Sequence, residues 1–502
     1  MKLLTVEATR AWDEWTIQQE PISSTDLMER AAKACTHWIT EKFNTSSPFV
    51  ILAGTGNNGG DGLAIARLLS EKNYTVSVYV IATDKAQKSA DFTVNLERLE
   101  HAGVPVITIQ DEKTIPAIPG DAIVIDALFG SGLNRALEGI YAATVRHINI
   151  SKAVVVSIDI PSGMFMDRYD EDAPCVKADF TLSFQLTKLP FLLPEYGALS
   201  GEVHVLDIGL SPDFPGLEEA RFETIESSLI TSILPHRTSF AHKGTYGHAL
   251  LVAGKPGMMG AAVLAAASCT RSGAGKLTVM TTWEERHILQ TAVPEAMVIE
   301  LSQENISGWI SDKNIQSIGI GPGWGTASDQ VAYLEKIFKH FSQPIVIDAD
   351  ALNILSQNKY LWYHIPAGSL LTPHPGEFAR LTGKPSDGFS SLEQALHLAA
   401  LHNIYVVLKG RFTFIATPEG RGYFNTTGNP GMATGGSGDV LAGLLTGLLA
   451  QKLSPLHACL AGVWLHGKAG DVAATNNHPI SMKAGDIIKS LPAAFSTVSI
   501  GY

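Results

Sequence analysis

The chain has 502 residues, 45% hydrophobic and 17% charged, which is long enough for two domains and apolar enough to bury a core in each. A formal net charge of −12 argues against a partner held by counterion release, so neither nucleic acid nor an anionic membrane is an expected ligand. The four cysteines, Cys35, Cys175, Cys269 and Cys459, are scattered without a CxxC pair, which points to neither a zinc site nor a disulfide framework and fits a reducing cytoplasm.

The opening MKLLTVEATRAWDEW becomes charged before any useful apolar run forms, so no signal peptide is expected. Residues 5–43 read as two helices, the second starting at a Ser24/Thr25 cap with Glu29 in its first turns. From about Pro48 to Ile208, β-branched runs alternate with helical patterns, giving candidate strands at 49–53, 75–80, 104–108, 122–125, 153–158, 180–184 and 203–207. That alternation predicts a mostly parallel sheet covered by helices on both faces, a Rossmann-like α/β/α sandwich. Between Gly209 and about Pro235 the chain is turn-rich and then Glu-rich, so the boundary is placed there, with domains over 1–215 and 225–502. Beyond it, candidate strands at 249–253, 276–281, 297–300, 317–320, 344–347, 369–372, 405–408 and 413–416 alternate with helices and predict a second, larger α/β unit. The apolar stretch from Val440 to Leu465 is interrupted by Lys452 and Pro455, and reads as buried helix rather than a membrane span.

In the first domain, Gly54-Thr-Gly-Asn-Asn-Gly-Gly-Asp-Gly62 follows a strand, opens a helix and fits GxGxxG at Gly54, Gly56 and Gly59. A dinucleotide-binding unit would add an acid at the end of the next strand, and Tyr79-Val80-Ile81 has none. Asn57, Asn58 and Asp61 instead fill the gaps with oxygens and amide donors. Two later strands end in Asp126-Ala-Leu-Phe-Gly-Ser-Gly132 and Asp159-Ile-Pro-Ser-Gly163, and in a parallel sheet such carboxyl ends line one crevice. Asn58, Asp126 and Ser162 can supply oxygens to a hard monovalent cation, and the Gly130–Ala136 loop with Arg135 would lie against a phosphate. Plainer roles stay open: Asp126 as a cap or turn former, and Asn57 as a turn residue. Asp159 is the better functional candidate, because Pro161 and Gly163 stiffen its loop.

GTGNNGGDGLAIARLL, the Asp126 loop and SIDIPSG together resemble the N-terminal epimerase domain of the bifunctional enzymes that repair hydrated NADH and NADPH. The resemblance implies a potassium site at Asn58, Asp126 and Ser162. It implies a substrate site at Asn57, Asn58, Gly59, Gly60 and Asp61, at Gly130, Ser131, Gly132, Leu133, Asn134, Arg135 and Ala136, and at Asp159. The implied reaction interconverts the R and S epimers at C6 of the hydrated nicotinamide, with Asp159 as the candidate for proton transfer.

The second domain carries Gly435-Gly436-Ser437-Gly438-Asp439 at the start of an apolar helix pattern, where bare backbone amides and the helix dipole suit a phosphoryl group beside one acid. Lys243-Gly-Thr-Tyr-Gly-His248 stands just before a strand, and Gly254–Ala262, Gly321–Gly325, Asp348–Asn353, Thr372–Glu377 and Lys409–Thr413 are five turns expected to converge on that loop. Phosphoryl transfer needs an acid near a hydroxyl and N–H donors near the moving group, roles that fit Asp439 and the 436–438 backbone. His374 can instead be a turn residue, Lys409 a solvated strand-end lysine, and Glu377 a helix cap rather than a magnesium contact.

KGTYGHALLVAG, GPGWG, DADALN, LTPHPGEF and NPGMATGGSGDVLAG resemble the ribokinase-like dehydratase half of the same repair enzymes. The implied contacts are Ala262, Gly325, His374 and Asp439 to the hydrated cofactor, and Lys409, Gly410, Arg411, Phe412, Thr413 and Gly438 to the adenine nucleotide. With Mg²⁺ as helper, ADP or ATP would phosphorylate the C6 hydroxyl that Asp439 deprotonates; ADP, the usual donor in bacterial members, would leave AMP. A cytoplasmic homo-oligomer acting on NADHX or NADPHX is the expected form. The competing reading is a small-molecule kinase fused to a nucleotide-binding scaffold domain, although such a kinase has no need of NNGGDG with SIDIPSG.

Overall fold

A computed structural model describes residues 1–312 and 314–498. They divide into two compact units: residues 2–221 with 387–389, and residues 222–386 and 390 onward with Met1.

In the first unit seven strands form one sheet, in the spatial order 106–109, 76–81, 49–53, 123–127, 154–158, 180–184 and 202–206. Every pairing is parallel. Central parallel strands are covered on both faces, which is why Phe49–Ala53 and Ile123–Ala127 are unbroken buried runs. Chain order reverses between these two neighbours, so their carboxyl ends open a crevice. The helix Asn57–Glu71 starts at that crevice. A Cβ on Gly59 would stand 2.0 Å from the Gly54 carbonyl oxygen, so the helix approaches the strand end this closely only because Gly59 lacks a side chain. The second helix begins one residue earlier than the expected cap: Ser23 is its N-cap, and Asp26 returns a hydrogen bond to the Ser23 N–H to complete a capping box.

The sheet of the second unit runs 222–224, 422–424, 414–416, 405–408, 370–371, 345–347, 317–320, 248–252, 276–281, 297–300. From 405–408 to 297–300 it is parallel, and 414–416 pairs antiparallel with both 405–408 and 422–424. Phe222–Thr224 and Gly422–Phe424 were not among the expected strands. Three residues are too few for a period to show, and contacts among Phe222, Phe414 and Phe424 hold them in place. Here chain order reverses between 248–252 and 317–320. The helix Ser437–Ala450 is buried from Val440 onward. It packs backbone to backbone on Met259–Arg271, since a Cβ on Gly443 would stand 2.0 Å from the Ala265 carbonyl oxygen. No described helix is long and apolar enough to cross a membrane.

Candidate active sites

At the crevice of the first unit lies a cavity of about 540 Å³. Asn57, Asn58 and Asp61 line it from the glycine loop, Gly130, Ser131, Gly132, Leu133, Asn134 and Arg135 from the loop after 123–127, and Asp159 from the loop after 154–158. Gly59, Gly60 and Ala136 do not line it. Gly60 faces Met28, whose sulfur would lie 2.8 Å from an added Cβ. Gly59 serves the close approach of helix to strand end, and Gly60 that of its helix to the neighbouring helices that carry Met28 and Phe92.

Asp159 has a φ of +66°, a left-handed conformation unusual for a residue with a side chain. Its carboxylate accepts a hydrogen bond from the Ser131 N–H at 2.9 Å and pairs with Lys188 Nζ at 3.0 Å. Burial pushes its proton affinity up, but Lys188 and the Ser131 donor outweigh that and hold Asp159 below the usual carboxylate value. Asp61 is pushed well up, by burial first and then by the charge of Asp159. These two carboxyl groups are thus displaced in opposite directions within one cavity. Lys188, Asp13 and Arg10 also line it, and all three were missed in the sequence. They lie far from the glycine motifs, and only the fold brings them in.

Asp126 and Ser162 sit below the cavity lining, fully buried. Ser162 Oγ donates to Asp126 Oδ1 at 2.6 Å, and Ser157 Oγ and the Ser162 N–H donate to Oδ2 at 2.8 and 2.9 Å. Ser162 Oγ also contacts the Phe129 backbone, accepting from its N–H at 2.9 Å. Both polar side-chain atoms of Asn58 are buried without a partner. Its carboxamide packs against Gly130, the residue after Phe129. Asn58 thus offers a bare buried amide oxygen, and with the Ser162 hydroxyl and the Asp126 carboxylate it makes up a set of oxygen donors of the kind a hard cation takes.

In the second unit, a cavity of about 620 Å³ is lined by His374, Lys409, Gly410, Arg411, Thr413, Ser437 and Gly438, with His466 behind Ser437. Gly436 starts the helix at a φ of +92°, and a Cβ there would meet Leu264 Cδ1 at 2.4 Å, so only glycine fits. Lys409 Nζ lies 2.9 Å from Asp348 Oδ1 and 3.9 Å from Glu377 Oε2, and a Cβ on Gly438 would be 3.2 Å from it. Lys409 is thus an ion-paired ammonium poised over the first turn of the helix rather than a solvated strand-end lysine. Asp439 stands next in the chain, its pKa pushed up to about 6 by burial and by Asp348, against the pull of Lys409. His466 Nε2 is 3.4 Å from Ser437 Oγ, and burial pushes this ring down to about 4, so it is neutral.

Four of the expected contacts do not line that cavity. Asp439 lies beside it, coupled to Asp348 and Lys409. Phe412 stacks under the Arg411 guanidinium at 4.5 Å. Ala262 is 0% exposed within the core. Gly325, at a φ of +88°, donates its N–H to Asp350 Oδ2 at 2.7 Å and packs against Lys255, another residue missed in the sequence. His374 Nδ1 accepts from the Gly376 and Glu377 N–H groups, and the His374 N–H donates to Glu377 Oε2, so these two residues form a capping box. Among the described residues, no group of three His, Cys, Asp or Glu side chains could hold a metal ion.

Two α/β units, each with a glycine loop opening a helix at the reversal of its sheet or beside an acid–lysine cluster, define a protein built to handle phosphorylated small molecules at two places. Comparison with known proteins narrows that class. Residues 24–189 match the family described as YjeF-related protein N-terminus, and residues 249–493 match NAD(P)H-hydrate dehydratase. A bifunctional NAD(P)H-hydrate repair enzyme from Moorella thermoacetica is 34% identical, with 98% of this chain and 96% of that protein covered. One from Escherichia coli is 32% identical, covering 93% and 88%. Among solved structures, an ADP/ATP-dependent NAD(P)H-hydrate dehydratase from Bacillus subtilis, co-crystallized with ATP/Mg²⁺, is 31% identical, covers 55% of this chain and 99% of its own, and gives a TM-score of 0.48. The chain belongs to the family of bifunctional NAD(P)H-hydrate repair enzymes.

Proposed function

We propose that the first unit interconverts the R and S epimers of hydrated NADH and NADPH at C6, and that the second dehydrates the S epimer at the expense of ADP or ATP. The observation that carries this reading is the pairing of Asp439, a carboxyl group pushed up to about 6, with a helix start whose amides are left bare by glycine and overhung by Lys409. A carboxylate of that basicity takes a hydroxyl proton near neutral pH more readily than an ordinary aspartate. The amides of the first turn and Lys409 offset the charge of a phosphoryl group in transit. Asp439 removes the C6 hydroxyl proton, and the oxygen takes the terminal phosphoryl group. Phosphate then departs as the ring-nitrogen pair moves to C6, and loss of a C5 proton restores the dihydropyridine. Lys409, Gly410, Arg411, Thr413 and Gly438 hold the nucleotide in the 620 Å³ cavity.

In the first unit Asp159, kept ionised by Lys188 and Ser131, is the base. Asn58, Asp126 and Ser162 would hold potassium, which when bound supplies positive charge beside the substrate's phosphates. Magnesium would arrive with the nucleotide, because Asp348 and Glu377 are already engaged by Lys409 and by the cap. The four cysteines are free thiols, in keeping with a cytoplasmic enzyme. The test is to incubate the purified protein with hydrated NADH as a mixture of epimers plus ADP or ATP. Absorbance of the reduced nicotinamide should return to completion with at least one nucleotide; no return with either overturns the proposal.

A further inference from the structure

We propose that Asp13 is a second proton-carrying group of the first cavity, acting with Asp159 in the epimerisation. The inference rests on the epimerase reading above and adds a residue that the glycine motifs do not contain.

Asp13 reaches the cavity from the helix Val6–Gln19. That helix is pinned on one side: Trp12 and Thr16 are buried, Trp12 Nε1 donates to the Ser211 carbonyl at 2.7 Å, and the Ser211 N–H donates to Thr16 Oγ1 at 3.0 Å. Asp13, next to Trp12, is thereby directed to the same space as Asp159, Lys188 and the glycine loop. Asn58, which lines the same space with both side-chain polar atoms buried and unpartnered, separately points to a bound group there.

Epimerisation at C6 must break a C–O bond on one face of the ring and make one on the other, which asks for a proton donor and a proton acceptor. Asp13 as the acid gives its proton to the C6 hydroxyl oxygen, and the C–O electron pair leaves with that oxygen as water. The N1 lone pair becomes the second bond of N1=C6. Water then adds from the opposite face: its oxygen pair forms the new C–O bond, the π pair returns to N1, and Asp159 takes the proton released. Asp13 is left ionised and Asp159 protonated, the state that runs the reverse reaction, and proton exchange with solvent restores the first state.

The surroundings of the two groups match these roles. Burial and the charge of Asp159 push Asp13 up to about 6, whereas Lys188 and Ser131 hold Asp159 down. Asp61, the third carboxyl group of the cavity, is pushed well up by burial and by the charge of Asp159. The charged groups facing Asp13 are Arg10 and Glu14 from its own helix, and Asp61, Asp159, Lys188 and Arg135 from the loops and strands around the cavity.

The test uses the full chain with hydrated NADH enriched in the R epimer, the two epimers being separated during the reaction with ADP or ATP. Asp13→Asn should slow conversion of R to S by about 100-fold or more while S is consumed as in wild type. Asp13→Glu should restore part of the rate. In wild type the rate should fall as pH rises through about 6; Asp13→Asn should lack that limb, and Asp13→Glu should move it. Wild-type conversion by Asp13→Asn with an unchanged pH limb overturns the inference. Should Asp13→Asn fail to fold, an unmoved limb in Asp13→Glu overturns it equally. A wild-type protein that converts no R epimer overturns the epimerase reading itself.

Discussion

Replacing Lys188 with methionine removes the cation paired with the Asp159 carboxylate while keeping the length and apolar stem of the side chain. The pair is 3.0 Å apart, with side chains 5% and 13% exposed, so solvent screens it little. Losing one partner of such a pair costs about 3–5 kcal/mol, because the other charge is left buried. The Phe184 carbonyl, which accepts from Lys188 Nζ at 2.8 Å, loses that donor but keeps the Leu186 N–H at 2.7 Å, so it adds little to the cost. The sign with pH follows from Asp159. In wild type its pKa is depressed, so its contribution is present above the unfolded value near 4 and is lost as pH falls through the folded value. In Lys188→Met burial is opposed by the Ser131 hydrogen bond without the ammonium, the pKa rises above the unfolded value, and the variant should lose stability relative to wild type as pH climbs from about 4 to about 7. Urea unfolding of the full chain at several pH values, followed by a probe in the first unit, measures this. Epimerisation should fall by about 100-fold near neutral pH, since the base is no longer reliably ionised. A stability loss under about 1 kcal/mol with an unchanged pH slope, or full epimerisation, would show that Lys188 does not set the state of Asp159.

Gly59→Ala should destabilise the first unit by about 2–3 kcal/mol and suppress epimerisation, because the new methyl group must find room 2.0 Å from the Gly54 carbonyl oxygen; thermal melting checks it. Within the second glycine loop, Gly438→Ala should raise the KM for nucleotide by crowding Lys409. Gly435→Ala, whose Cβ would meet nothing within 4 Å, should stay near wild type in stability. The kcat/KM for dehydration should climb with pH through about 6 as Asp439 ionises and then level off. His466, held near 4, should add no second limb above pH 5.

Most of the sheet architecture was legible because buried parallel strands read as short runs rich in apolar and β-branched residues; Phe49–Ala53, Phe180–Phe184, Lys276–Thr281 and Tyr405–Leu408 have the expected bounds. The three-residue strands at the edge of the second sheet were not, since aromatic packing between distant segments, not a local period, makes them strands. The glycine loops announced both sites by composition alone. Lys188, Asp13 and Lys255 did not announce themselves: a lone charged residue in an ordinary helix or loop looks solvated until the fold supplies its partner. His374 and Glu377 show the converse, residues in a motif whose hydrogen bonds close a helix end.

The division of labour between Asp159 and Asp439 is tested most directly by following the two epimers of hydrated NADH separately in time, with ADP or ATP present, for wild type and for each aspartate-to-asparagine variant. Asp439→Asn should form no NADH while the epimers still equilibrate faster than they do without protein. Asp159→Asn should consume S and leave R to its spontaneous conversion. If Asp439→Asn still dehydrated the S epimer, or if Asp159→Asn slowed both epimers alike, the assignment of one reaction to each carboxylate would be contradicted.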